Sequence, residues 1–144
     1  MNEPTGIAHV IQAAIAPVFL LTGVSSMLGV LTNRLARIVD RARVFEAQLA
    51  NQPETPPKLV GSLKVLARRA GYINVAISLC TIAALLVALV VVSLFADAFL
   101  QVTLTKEIAL LFVGAMVCLS AAFIVFFVEV RLATRSLRIG HPHI

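Results

Sequence analysis

Apolar and charged positions along this chain fall into separate blocks. Three stretches contain no Asp, Glu, Lys or Arg: Pro4–Asn33, Ala70–Ala96 and Ile108–Val128. Each exceeds the roughly 18–20 residues needed to cross a hydrocarbon core about 30 Å thick, so each predicts a transmembrane helix. The spans are placed at about residues 8–33, 71–95 and 107–130. Helix one is expected to begin near Ile7, with Pro17 either kinking it or marking its first turn. No Gly or Pro separates Val30 from Arg43, so the first span should run unbroken into a charged helix.

Past Asn33 the pattern becomes amphipathic. Leu35, Ile38, Ala42, Phe45 and Leu49 recur at spacings of three and four, which puts them on one helical face. Asn51–Pro57 contains three prolines and reads as a turn. Helix two is expected from Lys58, and its Leu59, Leu63, Leu66 and Ala70 form a matching stripe. The two stripes predict an antiparallel helical hairpin over about residues 34–70. Ala96–Lys106 is expected to be the second connection, and Arg131–Ile144 a tail after span three. The fold class is therefore all-α, a single integral membrane domain of three transmembrane helices. A cytoplasmic helical hairpin extends spans one and two.

Composition agrees with this. The chain has 144 residues, of which 60% are hydrophobic and 13% charged, too apolar for a soluble domain. The net charge of +5 is of the sign that nucleic acid attracts, but its distribution points to a membrane and no nucleic-acid partner is expected. Arg34, Arg37, Arg41, Arg43, Lys58, Lys64, Arg68 and Arg69 lie between spans one and two, and Arg131, Arg135 and Arg138 follow span three. Only Lys106 falls on the other side. By the positive-inside rule the N-terminus is expected outside and the C-terminus in the cytoplasm. A cleaved signal is not expected, because a basic leading region is missing. Cys80 and Cys118 fall within spans and read as small apolar packers.

The segment APVFLLTGVSSMLGVLTNRLARIVDRAR resembles the hallmark of a family of small bacterial inner-membrane proteins with no assigned function. The resemblance rests on Leu31, Arg34, Leu35, Arg37, Ile38, Asp40, Arg41 and Arg43 at the end of an apolar helix. It implies a location in the bacterial inner membrane and brings no catalytic, cofactor or binding residues with it.

The first candidate surface is a stripe on helix one: Gln12, Ile15, Phe19, Thr22, Ser26, Gly29, Asn33, Ala36 and Asp40. Polar residues sharing a face in lipid belong against protein or water. Either Thr22, Ser26 and Gly29 pack helices closely, within or between subunits, or several copies of the face ring a pore. In a pore Phe19 would be the constriction and Asn33 a polar mouth. The second candidate is Glu129, a carboxylate at the inner boundary, expected to pair with Arg34 or a neighbouring basic residue rather than to transfer protons. Arg37, Arg41, Arg43, Arg68 and Arg69 are candidates for lipid or anion contact, or for docking an acidic partner. Asp40 is expected to pair locally with Arg37 or Arg43. His141 and His143 read as part of a flexible tail rather than a metal site. No catalytic motif, cofactor loop or metal-ligand spacing is present, so an enzyme is not expected. Two functions stay open. One is a homo-oligomeric channel or pore lined by helix one; the other is a non-conducting scaffold or regulatory subunit whose hairpin docks a cytoplasmic protein partner.

Overall fold

The computed structural model describes residues 3–51 and 57–140, with side chains over 6–51 and 57–135. Its elements are α1 (Glu3–Ala50), α2 (Pro57–Leu100) and α3 (Thr105–Gly140), and no strand occurs among the described residues. All three helices are long and apolar enough to cross a membrane. Helix α1 starts earlier than Ile7. Pro17 lies inside it and is buried, so it does not begin the helix. Helix α3 is also longer than expected: the first residues of the supposed tail, Arg131–Gly140, continue it. Asn51 is a turn residue and Pro57 belongs to α2 rather than to the expected turn, so that helix begins one residue before Lys58; residues 52–56, His141 and His143 lie outside the described residues.

The second connection is much shorter than Ala96–Lys106. It comprises only Gln101–Leu104, because α2 continues to Leu100. Gln101 leaves the helix with φ of 52°, the left-handed conformation that commonly ends a helix. The Leu104 amide then donates to Asp97 Oδ1 at 3.0 Å, and the Leu104 carbonyl accepts from the Ile108 amide at 2.9 Å. Asp97 thus reaches back across the loop, and Leu104 opens α3.

Each helix contributes to two compact units, Met1–Leu28 with Leu79–Ala121 and Gly29–Ser78 with Ala122–Ile144. In the first, Ala14 and Val24 of α1, Cys80, Ala83, Val87 and Val90 of α2, and Ala115 and Leu119 of α3 are buried. These residues are mostly small, which lets apolar helices approach closely. In the second, Leu31 and Ile38 are buried with Leu66, Ile73, Ala76, Ala122 and Glu129.

Buried positions recur by seven along every helix. They are Pro17, Val24, Leu31 and Ile38 on α1, Leu66, Ile73, Cys80 and Val87 on α2, and Ala115, Ala122 and Glu129 on α3. A seven-residue period keeps one seam of a helix turned towards its neighbours. The amphipathic stripes follow it: Leu35, Ala42, Phe45 and Leu49 on α1, and Leu59, Leu63 and Ala70 on α2, are all partly buried.

Candidate functional site

The same period positions three charged side chains. Arg34 lies between Leu31 and Ile38, Arg69 between Leu66 and Ile73, and Glu129 one repeat after Ala122. Helical geometry therefore turns each charge towards the seam instead of away from it. Glu129 is fully buried, with 0% exposure. Its Oε2 accepts from Arg34 Nε at 3.0 Å and Nη2 at 2.7 Å, and its Oε1 accepts from Arg69 Nε at 3.1 Å. One carboxylate thereby ties α1, α2 and α3 together. The Arg34 guanidinium also lies over the Phe126 ring, 5.4 Å from its centroid. Charge-assisted bonds of this kind are the strong ones, and a buried carboxylate left unpaired would cost several kcal/mol. Among the described residues no buried side-chain nitrogen or oxygen lacks a partner.

Beside the triad is a cavity of about 350 Å³ lined by Arg34, Arg37, Ile38, Arg41, Leu66 and Arg69. It brings together some of the arginines singled out in the sequence and leaves others out. Arg43 and Arg68 are exposed and do not line it. Asp40 is exposed and forms no ion pair with Arg37 or Arg43, contrary to the expected local pairing. Arg131 is occupied differently, its guanidinium over the Phe127 ring 5.1 Å from the centroid.

The stripe on α1 is not used for packing inside the protomer. Gln12, Ile15, Thr22, Ser26, Gly29, Asn33, Ala36 and Asp40 are all exposed, and Phe19 is 71% exposed. The seam occupies the opposite side of the helix. On α3, a Cβ on Gly114 would meet Leu86 Cδ1 at 3.5 Å, so that glycine faces α2. The stripe's hydroxyls are satisfied locally: Thr22 Oγ1 donates to the Val18 carbonyl at 3.3 Å and Ser26 Oγ to the Thr22 carbonyl at 3.1 Å. Phe19 borders an apolar cavity of about 300 Å³ together with Ile11, Val18, Val91 and Phe95.

Arg69 is the residue whose part reasoning from the sequence missed. It stands among the candidates for lipid or anion contact, yet its spacing from Leu66 and Ile73 places it on the buried face. No group of three or more His, Cys, Asp or Glu side chains is arranged to hold a metal among the described residues.

Three membrane-length apolar helices joined by a buried ion triad define a multi-pass α-helical membrane protein. The chain belongs to the protein family of unknown function DUF2721, whose model matches residues 14–139. That match includes Arg34, Arg69 and Glu129 and all of the α1 stripe beyond Gln12. No curated protein and no solved structure is significantly similar to the chain.

Proposed function

We propose that the protein is a homo-oligomeric channel of the bacterial inner membrane, in which copies of α1 turn their polar stripe towards a shared axis. The observation that carries this reading is the exposure of Gln12, Thr22, Ser26, Gly29 and Asn33 on a helix whose other side is already packed. Gln12 and Asn33 present amide groups that a lipid tail cannot satisfy, and a second subunit or a hydrated path can. The same reading places the N-terminus outside and the hairpin in the cytoplasm, following the basic residues that flank the spans. Arginines at the inner mouth favour anions over cations.

Purified protein in planar bilayers tests the proposal. Anion-selective conductance is expected, altered by Asn33→Leu and raised by Phe19→Ala, with disulfide-linked dimers forming when cysteine replaces Ser26. Silent bilayers together with a monomer in detergent overturn it. A second reading is favoured by Arg37, Arg41, Arg43 and Arg68, which are exposed and unpaired by any described carboxylate. In that reading the assembly is a non-conducting scaffold whose hairpin docks an acidic cytoplasmic protein. Silent bilayers with an intact oligomer select it.

A further inference from the structure

The arginine-lined cavity carries more charge than the protein neutralises. Four arginines, Arg34, Arg37, Arg41 and Arg69, line about 350 Å³. Glu129 is the only carboxylate paired with any of them among the described residues. Four positive charges and one negative leave a net +3 around one small space. Like charges gathered around one space attract a counter-ion.

The cavity's geometry says what kind. Arg34 and Arg69 are held by Glu129 through Nε and, for Arg34, one Nη, so their orientations are set before any ligand arrives. Their remaining N–H groups are not sealed in, because no buried nitrogen is left without a partner. Arg37 and Arg41 sit one turn apart on the same helix, with neither guanidinium in an ion pair. Planar forks presented in this way match the oxygens of phosphate, often two at a time.

Depth supplies the source of the phosphate. Arg34 immediately follows the charge-free stretch ending at Asn33, and Arg69 immediately precedes the one beginning at Ala70. The cavity therefore sits where acyl chains give way to head groups, and its remaining walls are the apolar side chains of Ile38 and Leu66. We propose that it binds the head group of an anionic phospholipid, and that a lipid carrying two phosphates fits it better than one carrying a single phosphate. Two phosphate charges offset most of the +3, and basic pockets between helices at the membrane boundary are suited to such head groups. The inference goes beyond channel activity and holds for a single protomer.

The test uses the full chain, delipidated in neutral detergent, with native mass spectrometry and thermal unfolding as readouts. The probes are diphosphatidylglycerol, phosphatidylglycerol, phosphatidylcholine and inorganic pyrophosphate. Diphosphatidylglycerol is expected to stay bound and raise the unfolding midpoint, phosphatidylglycerol to bind more weakly, and phosphatidylcholine not at all. Arg37→Gln and Arg41→Gln should each weaken binding about tenfold, the loss of one charge-assisted contact. Both leave the Glu129 triad intact, so the lipid-free midpoint should not move. Arg43→Gln with Arg68→Gln, outside the cavity, should bind as the parent does. Three results overturn the proposal: parent-like binding by the Arg37/Arg41 double variant, an equal loss in the Arg43/Arg68 pair, or the full effect from pyrophosphate alone.

Discussion

Glu129→Gln isolates the charge at the centre of the fold while keeping its shape. In the parent one carboxylate accepts three hydrogen bonds from two guanidinium groups, at 2.7 to 3.1 Å. An amide can still accept on one side, but its NH₂ then faces a donor on the other. Two arginines also remain close together without their anion. Removing one partner of a buried ion pair costs about 3–5 kcal/mol. Arg34 is 31% exposed and its share is screened by solvent, whereas Arg69 is only 13% exposed, so the lower end of that range, about 3 kcal/mol, is the expectation. For a chain of this size about 2–4 °C is lost per kcal/mol, giving a midpoint lower by roughly 6–12 °C. Thermal unfolding in detergent measures it, and a double-mutant cycle with Arg69→Gln apportions it. Replacing all three charges together (Arg34→Met, Arg69→Met, Glu129→Leu) should recover most of the loss, because well-packed apolar groups often equal a buried ion cluster. A midpoint within about 1 °C of the parent for Glu129→Gln alone, or a coupling energy below about 0.5 kcal/mol, would refute this account.

Asp97→Ala removes the acceptor for the Leu104 amide and should cost about 1 kcal/mol, as loss of a cap does; faster hydrogen exchange confined to residues near Gln101–Leu104 is the expected signature, and unchanged exchange there rejects the role. For topology, a single cysteine near Asp97 should label from outside intact cells and a reporter after Ile144 should be cytoplasmic; the reverse pattern would invert the proposed orientation.

The helical architecture was legible because its signals are long. A charge-free run of membrane length has few alternatives, and the Leu35–Leu49 stripe has only one way to be apolar on one side. Within the first span the signal fails. Nearly every position from Ala14 to Leu31 is apolar, so hydrophobicity does not distinguish Val24, which is buried, from Val30, which is exposed. Only the period of seven, carried back from Ile38, separates them. Polarity located the α1 stripe without fixing its surroundings: Thr22 and Ser26 are exposed, and each hydroxyl bonds a carbonyl of its own helix. For Glu129 the cue was correct, since a carboxylate beside lipid has to be matched, and Arg34 lay at the same depth. Arg69 was harder to identify because Arg68 next to it is chemically identical and only the helical phase tells them apart.

The triad also has a history in time. Arg34 and Arg69 are synthesised first, and the carboxylate that matches them follows 60 residues after Arg69. At about 5–20 residues per second this is a delay of roughly 3–12 s. Until then neither arginine has the carboxylate to which it donates in the folded chain. Water and lipid phosphates must shield them until α3 enters the bilayer. The last helix to be made is therefore the one that closes the electrostatics of the first two. A chain cut short before Glu129 differs chemically from a finished one, because Arg34 and Arg69 then lack the carboxylate to which they donate three hydrogen bonds.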